Sequence, residues 1–284
     1  MGNVRLMVNL QLMPYSLPIL LTEQGNKISN SFHPTAIIHK SSSIGANVKI
    51  GPYSVIEEDV IIGDNSEIGN FVTICPDTII GEDCKILHCS SIGEIPQDLK
   101  FEGENSRTII GDNTIIREYV TINRGTKALG KTKIGSSCLL MASTHIAHDC
   151  IVGDNVIMSN LSTLGGHVTL EDWVVLGGGV LVHQFTKVGQ HAFVGGGFRV
   201  TQDVPPYILA AENPLTYKGI NSIGLKRRGF SLEERTEIKK IYQTYFQSGI
   251  NRKKSIGIVQ SELPSTNIKN TIIDFILSSQ RGII

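Results

Sequence analysis

Residues 38–91 read, in consecutive sixes, IHKSSS IGANVK IGPYSV IEEDVI IGDNSE IGNFVT ICPDTI IGEDCK ILHCSS. An isoleucine opens every unit, glycine often follows it, and the fifth residue is small or β-branched, as at Val48, Ser54, Val60, Ser66, Val72, Thr78 and Cys84. The register continues at Ile92, resumes at Ile110, Ile116 and Ile122, and returns at Ile134 to run by sixes through Leu140, Ile146, Val152, Met158 and Leu164 to Val200. A helix cannot use this period, because at about 100° per residue successive anchors would be rotated by about 240° and would scatter around the axis. Strands can, since six is a multiple of two. The anchor and the residue two before it then share one interior, while Gly, Asp and Asn take the corners. Three short strands per turn give a triangular prism with roughly 18 residues per coil, in which each coil buries its apolar face only by stacking on the next.

Two segments leave the register, 94–108 (EIPQDLKFEGENSRT) and 123–133, and loops thrown out of a rigid solenoid are natural places for binding groups. The period stops at Pro205-Pro206. Beyond it, Ser231-Leu-Glu-Glu234 is a capping-box signature, Ile238, Ile241, Tyr242 and Tyr245 fit one helix face, and a further helical pattern covers about Ile268 to Ser279. The expected organisation is therefore an N-terminal extension (1–31), a parallel β-helix (32–206) with two excursion loops, and a small C-terminal α-helical domain (207–284). Between Met1 and Thr22 an apolar run is broken by Asn9, Gln11, Pro14 and Pro18, which predicts no membrane span and no signal peptide. A bare tail and the remnant of an organelle-targeting segment both fit.

Composition supports a solenoid and excludes several function classes. The chain of 284 residues holds 29 glycines and one tryptophan, which suits tight corners better than a core of large rings. Lys plus Arg equals Asp plus Glu at 26 each, so no overall charge points to nucleic acid. Five cysteines, an odd number with no CxxC pair, predict neither a zinc ribbon nor a disulfide framework. Cys84, Cys138 and Cys150 fall on the small fifth position and read as structural.

Histidines gather in the third block at His145, His148, His167, His183 and His191. One coil on from His148 comes Gly166, and a second coil on comes Gln184, so the three should stack on one edge, about 4.8 Å apart. His148 is the third residue of its unit and should point outward, with Asp149 beside it. A neutral imidazole next to a carboxylate can serve as a general base, and the N–H of a glycine one coil away can stabilise an oxyanion. The run Lys226-Arg227-Arg228 reads either as a solvated face or as an anion site.

At this point several stretches carry a resemblance: IGEIPQDLKFEGE (92–104), VTINRGT (120–126), HIAHDC (145–150), LGGHV (164–168), VHQF (182–185), QDVPPY (202–207) and GLKRRGF (224–230). In this order, from about Phe32 to the C-terminal QRGII, they resemble the UDP-N-acetylglucosamine O-acyltransferases, hexapeptide-repeat acyltransferases that open lipid A synthesis. The resemblance implies a left-handed parallel β-helix, homotrimeric, with the site in a cleft between neighbouring subunits. It implies transfer of an (R)-3-hydroxyacyl group from acyl carrier protein to the glucosamine 3-hydroxyl of UDP-N-acetylglucosamine, with no metal, no other cofactor and no covalent enzyme intermediate. By matched position His148 is the base, Asp149 orients it and the Gly166 N–H holds the oxyanion. Gln97, Asp98 and Lys100 match a loop that contacts the sugar nucleotide or the acyl 3-hydroxyl, and His145, His167, His183 and Gln184 line the cleft. Asn221, Arg227 and Arg228 match positions near the nucleotide, its phosphates or the carrier protein. Gly196 matches the floor of the acyl pocket, where glycine leaves room for a longer chain. Bacterial members have histidine at the positions of Asn123, a nucleotide-contact position, and Pro214, and an acidic residue at that of Ile223. The expected compartment is the cytoplasm, or an organelle if the extension is a targeting remnant.

Two readings from other classes stand beside this one. The histidines could form a zinc site like that of γ-class carbonic anhydrases, which share the solenoid and use three imidazoles. Alternatively the chain could be a non-catalytic scaffold, which requires His148 to be dispensable.

Overall fold

In the computed structural model, which describes residues 29–246 and 251–284, a short strand made of an anchor and the residue before it joins successive units, as in Lys49–Ile50, Val55–Ile56 and Ile61–Ile62. Residues 1–28, most of the expected extension, lie outside the described residues. Through the barrel each strand pairs in parallel with the third strand after it: Ile50 lies opposite Ile68, Ile56 opposite Ile74 and Ile62 opposite Ile80. Among the described residues the result is three sheets of 11, 9 and 8 strands, which form the three faces of a left-handed parallel β-helix, the last strand of the first sheet being antiparallel. We call them the first, second and third face, after Lys49–Ile50, Val55–Ile56 and Ile61–Ile62 respectively. The anchors and fifth-position residues form one continuous buried core along the axis, and each fully buried isoleucine contributes roughly 1.5–3 kcal/mol.

The corners explain the rest of the repeat. The fourth residue of most units is left-handed, with φ of 56° at Asn47, 55° at Asp59 and 58° at Asn65, a conformation that Asn and Asp adopt more readily than other side chains. The fifth residue is small, and often polar, because its side chain reaches a carbonyl in the next coil: Ser54 Oγ donates to Gly69 O at 2.7 Å and Ser66 Oγ to Gly81 O at 2.9 Å. Cys138 and Cys150 donate in the same way to Gly153 O and Gly165 O, each at 3.2 Å. All five cysteines are free.

The register shifts locally between Ile92 and Glu94, where the first excursion loop departs, but the anchors stay in phase across both loops. Ile92 pairs with Ile122, and Ile122 with Ile146. The first of these steps exceeds the ordinary coil by two whole repeats and the second by one, so the strands resume in phase.

The pairing runs one strand beyond Pro205-Pro206. Ile208–Ala211 adds to the first face, with Leu209 opposite Phe193, and Thr216–Ile220 pairs antiparallel to it. Among the described residues four helices follow: α1 (Ser222–Arg227), α2 (Leu232–Tyr245), α3 (Arg252–Glu262) and α4 (Asn267–Ser278). The predicted capping box of α2 forms between Ser231 and Glu234, and Ile238, Ile241, Tyr242 and Tyr245 are its buried face. Tyr242 Oη donates to Pro206 O at 2.6 Å, and Asp203 N–H to Gly282 O at 2.8 Å, so helices and C-terminus are tied to the last coil. Among the described residues no helix is long and apolar enough to cross a membrane.

Candidate active site

The strand His145–Ile146 of the second face pairs with Thr163–Leu164, which pairs with Leu181–Val182. The corners that follow these strands carry His148, Gly166 and Gln184 in one column, as the coil period predicts. Backbone bonds join them: His167 N–H donates to His148 O and Phe185 N–H to Gly166 O, both at 3.0 Å. A Cβ added to Gly166 would lie 2.7 Å from both Nε2 and Cε1 of His148. The imidazole therefore rests against the α-carbon one coil away, and only glycine leaves it that place. Among the described residues the Gly166 N–H has no hydrogen-bond acceptor.

The next position in each unit forms a second column, Asp149, His167 and Phe185, all left-handed with φ of 57°, 59° and 64°. His167 stacks on Phe185 with ring centroids 4.5 Å apart and meets His148 edge-on at 5.1 Å. The Asp149 side chain is wholly buried, and its Oδ2 lies 2.9 Å from His148 Nδ1. An ionised carboxylate only accepts, so Nδ1 carries the proton and Nε2 keeps its lone pair.

Asp149 has more donors than His148. Thr126 in the second excursion loop gives its N–H to Oδ1 at 3.0 Å and its Oγ1–H to Oδ2 at 2.7 Å, and the Leu129 N–H reaches Oδ1 at 3.2 Å. Burial pushes the Asp149 carboxyl up, but the hydrogen bonds from the Thr126 side chain, His148 and the Thr126 N–H outweigh it and hold the group below its ordinary value. Burial lowers His167, against the opposing pull of Asp149, so its ring stays neutral near pH 7.

The other expected residues divide by location. His145 reaches back one coil to Thr121 Oγ1 at 2.7 Å, and burial lowers its pKa. His183 and Gln184 are exposed at the next corner of the same edge. The first excursion loop brings the Asp98 charge near enough to act on His167, while Lys100 gives its N–H to the Asp98 carboxylate at 3.0 Å; Gln97 and Lys100 are exposed. Asn123 lies beneath that loop at 2% exposure, its Nδ2 donating to Ile95 O at 2.9 Å. What it touches is the loop's backbone.

Gly196 stands on the corner after the first face, where an added Cβ would meet Gly178 O at 3.0 Å. Asn221 and Arg228 gather on the corner after the third face. Asn221 caps α1 and donates to His191 O at 2.9 Å, and the Arg228 guanidinium lies 5.1 Å over Trp173 and 3.4 Å from His191 Nδ1. Arg227 beside it is exposed. His191 thus belongs to this third corner, in an aromatic stack with Trp173 and Tyr207, and not with His148.

Sequence reasoning missed Phe185, which a count of one coil from His167 would have found, and Thr126, which no period reaches. His148, Asp149 and His167 offer donor atoms within 4.8 Å of one another. That set has two imidazoles, not three, and both carboxylate oxygens already take N–H or O–H donors. It does not fit the zinc site of the alternative reading.

Comparison with known proteins shows what the chain as a whole is similar to. Residues 203–284 match the family described as Udp N-acetylglucosamine O-acyltransferase, Domain 2. Residues 41–76, 59–94 and 131–166 match the bacterial transferase hexapeptide family. The acyl-[acyl-carrier-protein]–UDP-N-acetylglucosamine O-acyltransferase of Paracidovorax citrulli is 51% identical over 89% of this chain and 99% of its own length. That of Myxococcus xanthus is 44% identical over 88% and 98%. Among solved structures, the UDP-N-acetylglucosamine acyltransferase of Bacteroides fragilis superposes with a TM-score of 0.87 at 44% identity, covering 89% of this chain and 99% of that one. The Arabidopsis enzyme gives 0.77 at 32% identity, with coverage of 89% and 99%.

Proposed function

The chain belongs to the UDP-N-acetylglucosamine O-acyltransferase family, and from that membership we propose how its own residues carry out the transfer. It is an acyltransferase that moves an acyl group from acyl carrier protein to UDP-N-acetylglucosamine. In the reading proposed here the acyl group is an (R)-3-hydroxyacyl chain and the acceptor is the glucosamine 3-hydroxyl. His148 Nε2 takes the proton of that hydroxyl as its oxygen attacks the thioester carbonyl. The resulting tetrahedral oxyanion is held by the unengaged Gly166 N–H. Collapse breaks the carbon–sulfur bond, and the departing thiolate of the carrier's phosphopantetheine takes the proton back from His148. The products are the sugar ester and the free carrier thiol, and the enzyme returns unchanged.

One observation carries this reading. The buried Asp149 holds Nδ1 of His148 and leaves Nε2 against the Gly166 coil. General-base catalysis contributes typically 10²–10⁴-fold and an oxyanion donor a similar factor. Asp98 acts on the same edge from the first loop, which also carries the exposed Gln97 and Lys100, while the exposed Lys226 and Arg227 suit phosphates or an acidic carrier protein.

His148, Gly196 and Arg228 stand on three different corners of one prism. A single chain cannot turn them into one pocket, whereas a homotrimer sets a corner of one chain beside another corner of its neighbour. We therefore place the site between subunits.

The test is an assay with UDP-N-acetylglucosamine and a panel of 3-hydroxyacyl carrier proteins, comparing wild type with His148→Ala. Near-complete loss of activity is expected, with trimer and melting temperature retained. A variant that kept most of its rate would remove His148 as the base.

A further inference from the structure

The second excursion loop leaves the barrel after Asn123, at the end of a second-face strand, and returns at Lys131–Ile134 on the third face. On the way it does one thing that surface loops rarely do. It sends a side-chain hydroxyl and two backbone N–H groups onto a single carboxylate that has no exposed surface. Thr126 is itself 7% exposed, and its Oγ1 also accepts from Ala128 N–H at 3.2 Å, which closes the loop around the hydroxyl. From the coil side, Thr132 Oγ1 accepts the Asp149 N–H at 2.9 Å, so backbone and side chain of Asp149 are both fixed.

We propose that Thr126 is a positioning residue for the acyl transfer, fixing the Asp149 carboxylate so that its Oδ2 faces His148 Nδ1 and keeps His148 Nε2 free. This rests on the reading of His148 as the base. Oδ2 is the shared atom: it takes Thr126 Oγ1–H at 2.7 Å and His148 Nδ1–H at 2.9 Å. A carboxylate held by one bond can swing about its terminal torsion, which is broad. One held on Oδ1 by two loop N–H groups and on Oδ2 by a hydroxyl cannot. The loop thereby does for Asp149 what Asp149 does for His148.

The groups facing Asp149 are few. His148 comes from its own coil and His167 Nε2, at 3.7 Å, from the next. Behind it lies Cys150, whose thiol is pushed up to about 12 by burial and stays neutral. The loop adds only uncharged donors.

The experiment compares Thr126→Val and Thr126→Ser with wild type and with His148→Ala. Valine removes the hydroxyl and keeps the branched shape. Its kcat should fall roughly 10- to 100-fold, the worth of one hydrogen bond to a charged group, with KM for UDP-N-acetylglucosamine little changed. Without that donor the buried Asp149 binds its proton more readily, so the acid limb of the kcat/KM profile should move to higher pH. Nitrogen-15 spectra of His148 should show one tautomer in wild type and a mixture in the valine variant. Thr126→Ser should restore rate, acid limb and tautomer together. A valine variant with the wild-type rate and acid limb overturns the proposal, and so does a serine variant that folds but stays slow. Should valine prevent folding, Thr126→Ser and Thr126→Ala carry the same comparison. If His148→Ala is itself active, the base assignment fails; if it is inactive while Thr126→Val is unaffected, only the role of Thr126 fails.

Discussion

Replacing Gly166 with alanine is the most direct test of the stacked column, because the structure confines its effect to one side chain. The three atoms nearest the added Cβ are Cε1 and Nε2 of His148 at 2.7 Å and its Nδ1 at 3.3 Å. Carbon–carbon contacts relax at about 3.5–4.0 Å, so the imidazole must retreat by roughly 1 Å. Gly166 is not left-handed, and alanine meets no backbone penalty there. The ring cannot retreat and keep its 2.9 Å bond to Asp149, which the loop holds fixed. A displacement of about 1 Å at a catalytic group costs on the order of 10²-fold, or about 2.7 kcal/mol of transition-state stabilisation. Gly166→Ala should therefore lose about 10²-fold in kcat at saturating donor and acceptor, with its melting temperature near wild type. Gly257→Ala on α3, where an added Cβ meets nothing within 4 Å, should keep full activity. The double variant Gly166→Ala, His148→Ala should be no slower than His148→Ala alone, since the methyl acts through the ring. If Gly166→Ala keeps more than a tenth of the wild-type rate, His148 does not work from the position described. If the double variant is slower still, the methyl blocks substrate directly.

Two further expectations follow from titration and burial. His191 is held down to about 4 by burial and by the nearby Arg228 charge. Its neutral form is the folded one, so this stability is complete above the ordinary histidine value of about 6.5 and is lost as pH falls from there towards 4. The limit for such a shift is roughly 3 kcal/mol, reduced to about 1–2 by solvent around a half-buried ring. Melting curves from pH 7 to 4.5 should show this loss in wild type and not in His191→Phe, and equal slopes in the two would refute it. Cysteine labelling gives an independent check on the core. Burial raises the thiols of Cys75 and Cys150 to about 12 and Cys138 to about 11, and raises Cys84 as well. Alkylation of the native protein at pH 8 should modify Cys89 alone, as peptide mass mapping would show, and rapid modification of Cys150 would contradict its inward packing.

What the sequence could show of this molecule was whatever obeys the period. The anchors fix the prism, and counting by whole coils places Gly166 and Gln184 over His148, because strand pairing makes sequence offset and spatial offset the same quantity. Features that break the period were hidden for the same reason. The final step of the first face, from Val194 to Ala210, is shorter than a full coil, so the strand Ile208–Ala211 looked like the start of another domain. The loops show in the sequence as gaps in the register, but their own path depends on contacts such as Thr126 to Asp149. No local pattern announces that contact, since a threonine after a glycine is ordinary in any turn.

The histidines show that the period can also correct a first impression. Five of them between His145 and His191 look like one cluster when read along the chain. Read around the prism, Gln184 is two full coils from His148, and His191 lies just over one repeat beyond Gln184, one corner further round. The structure agrees, stacking His191 between Trp173 and Tyr207 on another edge, with Arg228 beside it. In a solenoid, nearness in sequence says little about nearness in space unless it is first reduced by the coil length. That reduction separates His148, which we propose as the base, from His191, which braces the corner of Trp173, Tyr207 and Arg228.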